Sequence, residues 1–370
     1  MGQRLYMLGH VYNGSGHGFG TPRMNYWNFA RSPASVRLLL DFGRARGIAA
    51  TRLLAGTRLT QVQVGNAQVS LSPGKELAVI ANLLRLCPEG AGMGLELGLS
   101  YHLSAYGVLG LGMMSSATAL DALRLVQRFL PLTYSYVAIT HRREGDLDLL
   151  GFEPPANIDD NVQSFVVERA VGATVRVLCD ITGAGAPVVA MQLRGLPAPA
   201  SIKHELAREL GCAPRWGASE NLVAIPRALT GRGLPQANAT TAAMCERMCE
   251  ELIEQRRTQL DTPTLVREYL AAAPDSCTPR LADVAAFLCT SERSLKRWFR
   301  DDGTSFRELL EESRRAKADR LLGNPRYSLA EIADRLGFSD LSSFSQAYKR
   351  WTGNAPSFSP VRRRPVRGKV

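Results

Sequence analysis

Long apolar runs are missing from this chain of 370 residues. None approaches the roughly 20 residues that span a bilayer, so a helical membrane span is excluded and no membrane partner is expected. Cysteine is sparse and does not pair. Cys87, Cys179, Cys212, Cys245, Cys249, Cys277 and Cys289 are odd in number and scattered, with no export signal ahead of them. A reduced, cytoplasmic interior is therefore expected rather than a disulfide scaffold. Cys245 and Cys249 share a helix face, but no second Cys/His pair sits at ligand spacing. They read as buried packing, and neither metal nor other cofactor is expected. His10 and His17 fall in residues 1–30, a Gly-, Asn- and aromatic-rich segment without helical period that reads as a flexible tail, with Met24 a second possible start. Residues 1–262 show no Ser/His/Asp cluster or acid pair, so no catalytic site is expected. Gly107, Gly110 and Gly112 miss the spacing of a nucleotide-binding loop and follow no strand; they read as close helix packing.

Positive charge, by contrast, is in excess, with a formal net of +11. Residues 263–370 hold 20 basic against 13 acidic side chains, and residues 1–262 hold 25 against 21. The excess is concentrated in the last third, where a polyanion should dock.

The periodicity divides the chain into segments 1–30, 31–260, 263–360 and 361–370. Helices are expected from Ser32 or Ser35, over 75–87, and from Ser116 or Thr118 to about 130. A β-hairpin turning at Glu144-Gly145-Asp146 comes next. Then come a helix near 161–180, a strand in "PVVAMQLRGL", a helix near 200–210 and a strand at 221–225. This order implies an α+β domain, an antiparallel sheet with helices on one face. A long helix over 236–258 leads to Pro263 and "APDSCTP", boundaries on either side of a connecting helix. The closing "VRRRPVRGKV" reads as a basic tail that attracts phosphates.

The all-α last third contains a duplication. "LADVAAFLCTSERSLKRWF" (281–299) lies over "LAEIADRLGFSDLSSFSQAY" (329–348) once one residue is inserted early in the later second helix. Leu281, Val284, Ala285 and Leu288 match Leu329, Ile332, Ala333 and Leu336, the buried face of a first helix in each unit. Thr278 with Pro279, and Ser328 with Glu331, are expected to start those helices; Ser291 and Ser339 are expected to cap the second ones. On the first unit's second helix Leu295, Trp298 and Phe299 gather on one face, and Arg293, Lys296, Arg297 and Arg300 on the other. In the later unit Phe344, Ala347, Tyr348 and Trp351 face inward, while Ser342, Ser345, Gln346 and Lys349 face outward. A charged helix face is ordinarily just a solvated one. Here the duplication and the lack of acids on both outward faces favour double-stranded DNA, read in the major groove where Arg meets guanine and Ser or Gln reaches base edges. A helix over "TSFRELLEESRRAKADRLL", capped by Ser305 with Glu308, joins two helix-turn-helix units so that they address two adjacent groove segments.

"GTSFRELLEESRRAKADRLLGNPRYSLAEIADRLGFSDLSSFSQAYKRWTGNAPSFSP" resembles the signature of the AraC/XylS family of bacterial transcription regulators nearly end to end. Residues 30–255 resemble the arabinose-binding-type N-terminal domain of a subgroup, through "GLSYHLSAYGVLGLGMMSSATALDALRLVQRFLPL", "GCAPRWGASENLVAIPRAL" and "LPQANATTAAMCERMCEEL". The resemblance implies a sequence-specific, nucleoid-associated activator that contacts RNA polymerase, with an N-terminal domain for small-molecule sensing, homodimerisation or both. Carried over by position, its DNA contacts fall on Arg293, Ser294, Lys296 and Arg297, then on Leu341, Ser342, Ser343, Ser345 and Gln346. Lys349 and Arg350 add phosphate contacts, and Arg300 belongs to the same DNA-binding set. Gln346 stands where the family usually has arginine and Leu341 where it has a more polar residue, so the second unit is expected to bind more weakly. Two other readings remain: a DNA-repair enzyme of the alkyl-transfer type built on the same unit, and a sequence-blind architectural binder. Against the first, Cys87, the cysteine beside a proline, has no neighbouring His or Cys. Arg124, Arg128, Glu168 and Arg169 adjoin core segments, where contact with an acidic effector is one reading; solvated faces are the expected one, and no effector residue is assigned.

Overall fold

The computed structural model describes residues 29–88, 90–154, 158–185, 187–257, 262–273, 278–287, 291–324 and 326–359. The chain enters through α1 (Ala34–Ala45), the short helices α2 (Ala50–Leu53) and α3 (Gln61–Gly65), α4 (Pro73–Leu86) and α5 (Met93–Gly98). Helices α6 (Val108–Ser115) and α7 (Ala119–Arg128) precede the hairpin of β1 (Ala138–Glu144) and β2 (Leu147–Glu153). After α8 (Asp160–Thr182) come β3 (Ala190–Leu193), α9 (Ala200–Leu210), β4 (Arg215–Trp216), β5 (Leu222–Pro226), α10 (Arg227–Thr230) and α11 (Ala239–Arg257).

The strands form one sheet in the order β1-β2-β5-β3-β4. Its pairs are antiparallel except β3 with β4, which run parallel. The expected all-antiparallel sheet is corrected at that edge, because β4 has two residues and shows no alternation a sequence reading could use. Ile139, Leu150, Phe152, Val223, Ile225 and Met191 pack from the sheet against Val167, Val171, Val175 and Leu178 of α8. The first turns of α8 (Val162, Phe165, Val166) belong to a second core with α1 and α4. One helix thus serves two cores and is apolar on nearly every side. It also lies against α5 at glycines: a Cβ on Gly172 would sit 2.3 Å from the Leu95 carbonyl oxygen.

Local capping decides several element starts. Thr118, not Ser116, caps α7 through the Asp121 amide. Ser35 lies inside α1 and is buried, while Ser32 accepts a hydrogen bond from the Ala34 amide at 3.3 Å. Cys245 and Cys249 are fully buried on α11, as expected of packing residues.

The last third is helical: α12 (Thr262–Ala272), α13 (Leu281–Phe287), α14 (Glu292–Asp301), α15 (Phe306–Leu322), α16 (Leu329–Arg335) and α17 (Leu341–Thr352). Leu265, Val266, Tyr269 and Leu270 of α12 enter one core with Val284, Ala285, Leu295, Phe299 and Leu309. Ala318, Leu321 and Leu322, at the other end of α15, join Ile332, Ala333, Leu336, Phe344 and Tyr348 in another. Helix α12 is therefore part of the first unit rather than a mere connector, and Pro263 sits in its first turn. Its outer side meets α4, where the Gly74 amide donates to Glu268 Oε2 at 3.3 Å. Leu288, Cys289 and Thr290, like residues 1–28 and the tail 361–370, lie outside the described residues.

Candidate functional site

Helix α14 starts where Ser291 accepts a hydrogen bond from the Ser294 amide, the expected cap. Leu295 and Phe299 are sealed in the core and Trp298 is half-buried, which turns Arg293, Lys296, Arg297 and Arg300 outward into solvent. Lys296 reaches Glu292 at 3.9 Å; Arg293, Arg297 and Arg300 make no ion pair with any described residue. Four cations on about two turns, three of them without a carboxylate partner among the described residues, repel one another in isolation, and a row of phosphates relieves that repulsion. The α13 start departs from expectation. The Arg280 amide is held by Asp283 Oδ2 at 2.7 Å, and Thr278 Oγ1 instead accepts from Arg314 at 2.9 Å.

Helix α17 is capped by Asp340, not Ser339: Asp340 Oδ1 accepts from the Ser343 amide at 2.7 Å, and Ser339 donates to Asp340. A carboxylate is the stronger acceptor at a helix N-terminus and wins over a serine one residue earlier. That amide bond also holds the Asp340 carboxyl below the usual range. Phe344, Ala347 and Tyr348 are buried, and Tyr348 donates to Asp319 at 2.6 Å, fastening α17 to α15. Ser342, Gln346 and Lys349 are exposed, Ser343 and Ser345 half-buried, and Leu341 is exposed as well. Arg350 pairs with Glu311 of α15 at 3.3 Å, so the second helix presents less free positive charge than the first.

A second feature lies in the N-terminal domain. Between α7, α8 and the inner face of the sheet is a cavity of about 90 Å³. Its walls are apolar, with Leu123, Val126, Val177, Ile181, Leu150 and Ile225 prominent. Polar groups converge at two ends. At one, Asp148 accepts from Thr230 and lies 2.7 Å from His141 Nε2; burial pushes this carboxyl up, but those partners outweigh it and hold it below its ordinary value. At the other, Arg169 donates to Glu76 Oε1 at 2.7 Å and to the Tyr134 carbonyl at 2.7 Å. Arg31 pairs with the other Glu76 oxygen at 3.4 Å, and Ser35 and Tyr136 also donate to this carboxylate. Burial raises the Glu76 carboxyl, yet Arg169 and Arg31 prevail and keep it ionised. The expectation that Glu168 and Arg169 form a solvated face is corrected, since both are buried. Arg124 and Arg128 are exposed and paired, with Asp121 and with Glu246 and Glu250.

The profile of the arabinose-binding domain of AraC transcription regulators (N-terminal) matches residues 47–234, and a helix-turn-helix domain profile matches residues 284–358. The chain belongs to the AraC family. An uncharacterized HTH-type transcriptional regulator of Mycobacterium tuberculosis is 30% identical to this AraC-family protein over 328 residues, covering 87% of this chain and 94% of the relative. The ornithine utilization regulator of Pseudomonas aeruginosa is 29% identical over 329 residues, covering 88% and 94%. Among solved structures, the transcriptional regulator CdpR from P. aeruginosa aligns with a TM-score of 0.44 at 23% identity, over 88% of this chain and 96% of that one. The protein is a helix-turn-helix transcriptional regulator with an arabinose-binding-type N-terminal domain.

The regulator's sequence-identified residues Arg293, Lys296, Arg297 and Arg300 come together on one exposed face. The residues at the polar end of the cavity went unassigned because they converge from positions far apart, Tyr101, Tyr134 and Arg169 on its lining and Arg31 and Glu76 in the ion-pair network behind Arg169. One signal was available: Arg169 interrupts the apolar run "FVVERAVGATV", and Glu76 precedes "LAVIANLL", where a charge must be paired if the helix is buried. Among the described residues no cluster of three or more potential metal ligands occurs and no helix is long and apolar enough to cross a membrane.

Proposed function

We propose that this regulator recognises its operator through α14 and α17 in two adjacent major-groove segments, as a cytoplasmic transcriptional activator that engages RNA polymerase, as a homodimer, and answers to a small molecule held in the N-terminal cavity. The observation that carries the DNA-binding part is the α14 face: three arginines without ion partners among the described residues, held outward by the buried Leu295 and Phe299. Arg293, Ser294, Lys296 and Arg297 contact bases and backbone in this reading; Arg300, Lys349 and Arg350 contact phosphates, and Ser342, Ser343, Ser345 and Gln346 the second groove segment. The Arg350–Glu311 pair and the neutral Gln346 make α17 the weaker partner.

Genome-wide mapping of binding sites, followed by gel shifts at fixed salt, tests this. The mapped operator should be bound about 10³-fold or more tighter than competitor duplexes. Arg297→Ala should cost about 1–3 kcal/mol of operator affinity, and Gln346→Ala clearly less. Uniform affinity across duplexes would leave only sequence-blind binding, and equal losses from the two substitutions would remove the ranking of the helices.

A further inference from the structure

The polar end of the N-terminal cavity carries more positive than negative charge. Arg31 and Arg169, both buried, share the single carboxylate of Glu76. Arg256, whose guanidinium is pushed below its usual range by burial and lies within the influence of Tyr134 and Arg31, adds a third cation. Glu168, next to Arg169 on α8, does not balance them: its carboxylate accepts from the Gly92 and Gly94 amides, on the α5 side of the helix. The Asp148 end has no comparable excess, because His141 and the Thr230 hydroxyl bind that carboxylate and Arg143 stands 3.5 Å away.

Of the three arginines only Arg169 lines the cavity. Its Nη1 serves Glu76, Ser35 and Tyr101, and one Nη2 hydrogen serves the Tyr134 carbonyl; no described residue accepts from its Nε or its remaining Nη2 hydrogen. Tyr106 lines the same end, its ring 5.9 Å from that of Tyr134, and its hydroxyl makes no hydrogen bond with any described residue. Tyr101 and Tyr134 hydroxyls, by contrast, are engaged with Ser35 and with the Ala105 carbonyl. Asp180, the carboxylate that also acts on Tyr106, is engaged by Arg176 at 3.1 Å, by His102 at 3.2 Å and by the Leu103 amide. An unused hydroxyl donor and unused guanidinium hydrogens lining one end, where two buried arginines share one carboxylate, form a receptor for a carboxylate. The opposite walls, on α7 and α8, are aliphatic apart from Thr174, whose hydroxyl donates to the Ala170 carbonyl, and Leu120, Leu123 and Val126 are only partly buried there.

We infer that the cavity binds a small amphipathic monocarboxylate, its carboxylate accepting from Tyr106 and Arg169 and its apolar chain lying between α7 and α8. This rests on the reading of the cavity as the effector site and names the class of effector. It also gives binding a consequence, since an incoming carboxylate competes with Glu76 for Arg169.

The test is calorimetric titration of the full-length protein with butanoate, hexanoate and octanoate, beside hexan-1-ol, hexanamide and 6-aminohexanoate. Methyl NMR of Val126 and Val177 reports where each probe sits. Hexanoate is expected to bind about tenfold tighter than the alcohol or amide, with both methyls shifted. Because Arg169 holds Glu76, replacing it invites misfolding, so the variant is Tyr106→Phe, which keeps the ring. It should weaken hexanoate severalfold and leave hexan-1-ol unaffected. Equal binding of acid, alcohol and amide at the cavity overturns the anion inference while the cavity reading stands. Tighter binding of 6-aminohexanoate than of hexanoate likewise replaces the monocarboxylate with a zwitterion. If no probe, charged or neutral, shifts the Val126 and Val177 methyls, the cavity reading falls as well.

Discussion

Glu168 is a carboxylate in an unusual position: almost fully buried, and bound by three contacts with the Gly92 and Gly94 amides at 3.0–3.2 Å. Burial pushes its pKa up to about 7 and outweighs those amide bonds. Its folded pKa lies above the ordinary 4.5, so folding takes up a proton between those values. The stabilisation is complete below the ordinary value and is lost as pH rises through about 7, a swing on the order of 3 kcal/mol. Glu168→Gln should flatten that part of the profile: calorimetric melting temperatures measured from pH 5 to pH 8 should fall less steeply than in the parent. An unchanged slope would assign the pH dependence to other groups. At this scale the sequence was least legible. The exposed cations of α14 were readable because helical period alone puts Arg293, Arg297 and Arg300 opposite Leu295 and Phe299. Buried pairings such as Arg169 with Glu76, 93 positions apart, depend on how α4 and α8 meet. Period cannot supply that. The same limit turned Ser339 into an expected cap, when the stronger acceptor was its neighbour Asp340.

Among elements, α5 and α8 approach each other backbone to backbone, through Gly94, Gly98 and Gly172. Alanine in place of glycine within a helix normally gains about 1 kcal/mol. At Gly172 the added methyl would meet the Leu95 carbonyl, which is backbone and cannot turn aside. The clash prevails. Gly172→Ala should lose roughly 2–3 kcal/mol in urea unfolding, whereas Gly65→Ala, with nothing within 4 Å of the added Cβ, should be neutral or slightly stabilising. Equal behaviour of the two variants would mean that α5 and α8 can separate at little cost. Elements with strong period or explicit caps were readable in the sequence. The capping boxes at Ser305 with Glu308 and Ser328 with Glu331 stand as expected, and so does the hairpin turn after Glu144. What escaped were elements too short to repeat a pattern, such as β4, and starts where a tertiary partner takes the capping group, as Arg314 takes Thr278.

For the whole molecule, the sequence pointed to a connecting helix after Pro263, but the role of α12 was not legible in it. It contributes Leu265, Val266, Tyr269 and Leu270 to the first DNA-binding core and also touches α4. Glu76 and Gly74 are two residues apart on α4, one held by Arg169 beside the cavity and the other by Glu268 of α12. A ligand that loosens the first contact acts next to the second. Glu268→Ala should therefore reduce the change in operator affinity produced by a saturating effector, typically 5- to 150-fold in coupled systems, towards none. Binding of each partner alone should survive. Gel shifts with and without effector measure this, and an undiminished response would exclude the α4–α12 contact as the link. Helix α15 has its own consequence at this scale. With Leu309 in one core and Ala318 in the other, it fixes the rotational phase between α14 and α17. One residue added between those anchors would turn one unit by about 100° relative to its twin. An operator read by both units is thus defined by the interval between its two halves as much as by their bases, and a target with the right letters at the wrong interval engages one unit at a time.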